Sequence, residues 1–241
     1  MKYKRLLIKF SGETLKGKRE YGIDDAMLSL ICNHIKRLVE NEYEIGIVIG
    51  GGNIFRGIQG AAKGFDRIMG DYVGMLATVF NSIFIAEKLK AMGIKARVLS
   101  GLSIPQVVED FHPIKAKEYL KNKEVLVFGG GTGNPYFTTD TAAALRAIEI
   151  GADLLIKGTK VSGVYTDNPL TNPQSKKLDF ISFSEYLEKN LKVMDNTAVS
   201  LCRDNNLPIL VLRFDIEKQD DIVAFLRGEK IGSIIGGDEA C

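Results

Sequence analysis

The chain has 241 residues, 45% hydrophobic and 26% charged, a composition that supports a sizeable core and argues against a disordered chain. Lys and Arg total 32 against 30 Asp and Glu, a net charge of +2, so no nucleic-acid stripe or acidic tail shows in the totals, while small anionic partners fit. Three cysteines (Cys32, Cys202, Cys241) without a CxxC pair and two histidines (His34, His112) argue against a disulfide scaffold and a zinc module.

From the N-terminus, MKYKRLLIKF breaks its apolar run at Lys9, too early for a signal peptide, and no stretch reaches about 18 uninterrupted apolar residues. The chain therefore reads as cytoplasmic, with no membrane partner. Segments 3–10, 45–49, 94–99, 124–128, 153–156 and 207–212 read as strands, several of them apolar on both faces as a buried parallel sheet requires. Between the first two, Met27, Ile31, Ile35 and Leu38 recur on one helical face behind Asp24, a suitable N-cap. A second helical pattern runs from about 66 to 92 and stops at Gly93; a third, capped by Thr139 or Asp140, stops at Gly151. Met69, Met75 and Met92 read as core. The segment 161–182, with NPLTNPQSKK inside it, reads as a hairpin and an excursion loop. Strand and helix in repeated succession, with no internal repeat and no Pro/Ser linker, predict a single α/β domain with helices on both faces of the sheet.

Three glycine-bearing turns each follow a predicted strand: KFSGE (9–13), VIGGGNIFRG (48–57) and VFGGGTGNPYFTTD (127–140). In a parallel sheet such turns lie at the carboxyl ends of strands, where ligands bind, and glycine lets backbone N–H groups approach an anion. A single Gly triplet is more often just a tight turn; three at one sheet edge favour phosphate. GxxxxGK[ST] is absent and GxGxxG is incomplete in both longer loops, which disfavours a Walker loop and a dinucleotide site.

Charged residues flank these turns, each with a plainer alternative. Lys9 ends the first strand and can offset charge on a transferred phosphoryl group, or be a solvated edge lysine. Arg56 can clamp a phosphate or lie on the surface. Asp140 can orient a lysine or substrate, or cap its helix. Asp71, in IMGDYVGMLAT, can accept from ribose hydroxyls or be an exposed helix acid. Lys157 ends another strand and invites a second phosphate contact; Tyr165 can stack on a base or pack in the strand. His34 and His112 read as residues of the surface or of local hydrogen bonds rather than of catalysis.

The ordered set KFSGE, GGGNIFRG, GDYVGMLAT, GGGTGNPYFTTD and KGTKVSGVYTDNP resembles the bacterial UMP kinase family, a branch of the amino acid kinase superfamily, from Lys4 to about Ile235. The resemblance implies a three-layer α/β/α sandwich with a mainly parallel sheet of about eight strands, assembled as a homohexamer. It implies transfer of a phosphoryl group from Mg-ATP to UMP, with Mg2+ arriving on the nucleotide and no metal site of the protein's own. Position by position, Lys9, Phe10, Ser11, Gly12, Gly52, Arg56 and Lys157 match the ATP phosphate side, and Thr159, Tyr165 and Asn168 the ATP nucleoside. Gly51, Asp71, Thr132, Gly133, Asn134, Pro135, Tyr136, Phe137, Thr138 and Thr139 match the UMP side. Lys9, Arg56 and Asp140 match the catalytic set. The loop Gly17, Lys18, Arg19, Glu20, Tyr21 and Gly22 matches a GTP effector loop, with UTP as the expected inhibitor. Ser162 and Asn168 stand where the family often has aspartate, which bears on the ATP nucleoside contact. Residues 236–241 lie beyond the resemblance. A kinase acting on a carboxylate or carbamate, and a nucleotide sensor without turnover, are the competing functions.

Overall fold

A computed structural model describes residues 2–55, 64, 66–214 and 221–237. The six expected strands form within three residues of their predicted limits: β1 (Arg5–Phe10), β2 (Glu44–Ile49), β3 (Ala96–Ser100), β5 (Val125–Gly129), β6 (Leu154–Thr159) and β10 (Ile209–Arg213). With β4 (Glu109–Asp110), β9 (Phe180–Ser182) and β11 (Ser233–Gly236) they build a nine-stranded sheet, one more strand than expected, in the order β4-β3-β5-β2-β1-β6-β10-β11-β9. Every ladder is parallel except β10 with β11. The three additional strands have two to four residues, too short for a pattern of alternation to register. The expected hairpin forms as β7 (Val164–Tyr165) against antiparallel β8 (Lys177–Leu178).

Alternation along the strands divides the core into two faces. Leu6, Ile8 and Phe10 pack with Ile31, Cys32, Ile35 and Leu38 of α2 (Asp25–Glu40) and with Ile85, Ala86 and Leu89 of α3 (Arg67–Ala91). Leu7 and Leu155 turn the other way, onto Leu120 of α4 (Pro113–Lys121), Ala143, Ala144 and Ala147 of α5 (Thr139–Ile150) and Val199 of α7 (Asn196–Asp204). The remaining helices, α1 (Gly12–Lys16), α6 (Phe183–Glu188) and α8 (Ile222–Leu226), are a turn or two each. The result is the three-layer α/β/α sandwich that the sequence patterns predict.

Helix ends follow local chemistry. Asp24 caps α2, its Oδ1 accepting from Ala26 and Met27 N–H, and Asp66 does the same for α3. The cap of α5 is Thr138, one residue before the expected Thr139 or Asp140, because its hydroxyl accepts from the N–H of Asp140 and Thr141. Helix α3 is long and apolar enough to cross a membrane by length and composition, but one flank lies on β3 and β5. Its other flank carries Met69, Leu76, Phe80 and Phe84 in an outward row, each more than two-fifths exposed. Met69 is therefore not core: the helix has apolar residues all round, and composition alone cannot say which side meets the sheet. Met75 is buried, and Met92 is partly buried against the core. His34 is half-buried, its ring edge-on to Phe214 at 5.0 Å, and burial lowers its pKa.

Candidate active site

Strands β5, β2, β1 and β6 are neighbours and parallel, so their carboxyl ends bring the turns after Gly129, Ile49, Phe10 and Thr159 to one edge. Lys9 on β1 and Lys157 on β6 are register partners, and they share the face of Leu7 and Leu155, toward α5. Both ammonium groups converge on Asp140, in the first turn of α5. Lys9 Nζ lies 2.8 Å from Asp140 Oδ1, and Lys157 Nζ donates to Oδ2. The three side chains are 9–12% exposed. Burial alone would push the Asp140 carboxyl up, but the two ammoniums outweigh it and hold it down at about 2. The Lys157 ammonium lies below the usual lysine range, through burial first and the like charge of Lys9, with Asp140 opposing. Because Thr138 caps the helix, the Asp140 carboxylate is released for the lysines, and two cations around one anion leave a positive centre at the sheet edge.

A second carboxylate supports this cluster, and its sequence signal is only that of an ordinary cap. Asp195 accepts from the N–H of Ala198 at 2.8 Å, capping α7, and from the hydroxyls of Thr138 and Thr141, tying the heads of α7 and α5 together. Ser11, expected on the phosphate side, caps α1 by accepting from Glu13 N–H, and Phe10 turns its ring into the core, 4.8 Å from that of Phe214. Gly12 is pressed onto the second glycine turn: a Cβ there would stand 2.6 Å from Gly50 O and 2.7 Å from Gly52 N. Only glycine permits that approach of the two turns. Asn53 and Asn81 lock the second turn through reciprocal amide hydrogen bonds of 3.0 and 2.7 Å, and Asn81 also donates to Gly50 O. Arg56 lies outside the described residues.

On one side of the lysine cluster is a cleft lined by Gly51, Asp71, Asn134, Phe137, Thr138 and Thr139, six of the ten residues expected around the acceptor. Asp71 is 18% exposed and accepts from Arg67 Nε and from the N–H of Tyr136 at 2.8 Å, bridging α3 to the loop opposite. Of the other four, Tyr136 enters through that backbone bond, Thr132 exchanges hydrogen bonds with Asn134, and Gly133 N–H donates to Gly130 O. Pro135 is half-buried in the same loop. On the other side, Thr159, Tyr165 and Asn168 line a cavity of about 440 Å3 together with Lys189–Val193. The two divergent residues have local work there. Ser162 Oγ pairs with Tyr165 OH at 2.8 Å, and Asn168 Oδ1 accepts from Leu170 N–H at 3.0 Å. Lys18, Arg19, Glu20 and Tyr21 are exposed between Gly17 and Gly22, and Gly22 is clipped to Asn53 by two hydrogen bonds of 2.9 Å. Among the described residues no group of three or more His, Cys, Asp or Glu side chains could hold a metal.

Glycine turns gathered at adjoining parallel strand ends, a buried Lys–Asp–Lys cluster and a cleft on either side define a phosphate-handling α/β protein. The chain belongs to the amino acid kinase family, whose model matches residues 4–213. It is 49% identical to the uridylate kinase of Bacteroides thetaiotaomicron over 234 residues, 97% of this chain and 98% of that protein. The crystal structure of UMP kinase from Bacillus anthracis superposes with a TM-score of 0.93 at 34% identity, covering 98% of this chain and 97% of that one. UMP kinase from Ureaplasma parvum gives 0.90 at 35% identity, covering 98% and 100%.

Proposed function

We propose that this chain, acting as a single domain, transfers the terminal phosphoryl group of ATP to UMP, giving ADP and UDP for pyrimidine nucleotide synthesis in the cytoplasm. The observation that carries the reading is the pair of buried ammoniums held by Asp140 between two clefts at the carboxyl edge of the sheet. A UMP phosphate oxygen attacks the γ-phosphorus in line, and the bond from that phosphorus to the bridging oxygen breaks, leaving its electron pair on ADP. Lys9 and Lys157 offset the charge on the transferred group, and the Asp140 carboxylate holds both ammoniums in place. A phosphate monoester is largely dianionic at neutral pH, its second pKa being about 6, so no general base is needed. The cleft beside Asp71 takes UMP, the cavity beside Tyr165 takes the ATP nucleoside, and Arg56 belongs to the transfer site.

Asp140 Oδ2 accepts from Lys157 and Oδ1, although it accepts no hydrogen bond, faces the Lys9 ammonium at 2.8 Å, so cations already stand at both oxygens of the carboxylate. Magnesium fits as an ion carried in by the ATP phosphates, where it supplies further charge neutralisation. The reading extends to a homohexamer, since the outward α3 row of Met69, Leu76, Phe80 and Phe84 suits burial against a second copy. It extends also to activation by GTP at the exposed loop bearing Lys18 and Arg19, and to inhibition by UTP. The test is ADP release from Mg-ATP with UMP, CMP, dUMP and acetylglutamate in parallel, each with and without GTP or UTP. Rapid turnover confined to UMP is expected. Turnover of acetylglutamate instead, or none with folded protein, overturns the reading.

A further inference from the structure

A buried charge lies outside the lysine cluster. Arg146, on the inner side of α5, is 4% exposed. Its guanidinium donates through Nη1 to Glu149 at 2.6 Å and through Nη2 to the carbonyl of Gly131 at 3.2 Å. Its Cζ stands 3.9 Å from the centre of the Phe111 ring, and its Nε–H has no hydrogen-bond partner. Desolvating a guanidinium is costly, and an unpaired N–H adds to that cost. An apolar side chain would fill the same place with no such penalty, so stability alone does not account for an arginine here.

The contact with Gly131 does account for it. Gly131 lines the acceptor cleft, in a loop where Gly130, Gly131 and Gly133 all have positive φ, of 72, 56 and 82°. Such a run has little intrinsic preference for one shape, because glycine reaches many others at similar cost. Tertiary hydrogen bonds must select the shape: Thr78 Oγ1 accepts from Gly130 N–H at 2.8 Å, and Arg146 takes the next carbonyl. The guanidinium sits so close under the 100–102 turn that a Cβ on Gly101 would be 2.9 Å from it and 2.9 Å from Gly131 O. Arg146 also lies on the helix that presents Asp140. One side chain thus ties the start of the acceptor loop to the element that carries the centre of the transfer site.

We infer that Arg146 is a positioning residue for the acceptor nucleotide: it touches no reacting atom, but holds the Gly130–Gly133 loop in the shape that receives UMP, at a set distance from Asp140. This rests on the function proposed above, and two independent readouts separate them. In Arg146→Met, amide hydrogen exchange of ligand-free protein should accelerate at least about tenfold at residues 130–136 while β1 and β6 stay protected. In the same variant the KM for UMP should rise about tenfold or more, with the KM for ATP within about twofold, as loss of acceptor binding alone would give. Arg146→Lys should fall between, because an ammonium lacks the planar fork that reaches Glu149 and Gly131 together. Should Arg146→Met not fold, Arg146→Lys and Glu149→Gln carry the same two measurements, with smaller shifts in the same direction. Unchanged exchange across 130–136, or KM values for UMP and ATP that move together, overturns the inference. A parent protein that does not consume UMP refutes the proposed reaction, and the exchange result still decides the role of Arg146.

Discussion

Asp140→Asn removes one charge and almost no volume from the Lys9–Asp140–Lys157 cluster. The Asp140 carboxyl is held at about 2 against 3.8 in an unstructured chain, which at 1.36 kcal/mol per unit corresponds to about 2–3 kcal/mol of stabilisation at neutral pH. Breaking a buried ion pair by removing one partner typically costs about 3–5 kcal/mol, because the other charge stays buried. Here two ammoniums stay buried, 11% and 9% exposed, facing each other without their counterion. A loss of about 3 kcal/mol is expected, which in a chain of this length lowers Tm by about 6–12 °C. The sequence holds no tryptophan, so urea unfolding is followed by circular dichroism. Because the folded pKa is depressed, the stabilisation is complete above about pH 5 and is lost as pH falls through 3.8 toward 2, with about half remaining at pH 3. The difference between parent and variant should therefore narrow from pH 7 to pH 3. A variant as stable as the parent at pH 7, or a difference unchanged at pH 3, refutes the electrostatic reasoning.

Lys9→Ala should fold and turn over at least ~100-fold more slowly, since a donor to the transferred group is worth about 3–4 kcal/mol in the transition state; near-normal kcat removes Lys9 from the chemistry. Gly12→Ala places a Cβ 2.6 Å from a backbone oxygen, so it should lose about 1–3 kcal/mol in urea unfolding together with most activity. Full activity there would mean that the two glycine turns separate freely. Asp195→Ala removes the cap of α7 and leaves two threonine hydroxyls without their acceptor; unfolding measurements should show a loss of about 2–4 kcal/mol, and kinetics a raised KM for UMP. Phe80→Glu on the outward row of α3 should leave the fold intact by circular dichroism and reduce the sedimenting mass; an unchanged mass places the subunit contact elsewhere.

The six long strands, the amphipathic helix behind Asp24 and the three glycine turns were legible because each rests on short-range rules: alternation, helical period and residues that permit unusual backbone. The positions of Lys9 and Lys157 at the ends of strands were legible too. What joins them was not. Whether Asp140 caps its helix or holds a lysine turned on which neighbouring threonine reached the free N–H groups, and Thr138 did. Asp195 and Arg146 had no distinguishing signal, because their partners stand 54 to 57 residues away in one case and in a glycine loop across a helix in the other. Met69 reads as core by composition and lies outside, since a helix apolar on every side leaves its orientation to the sheet it meets. Local pattern thus determined the elements and the chemistry each could offer, and tertiary packing decided which charges meet, because a charge's partner depends on distances in space that no local period encodes.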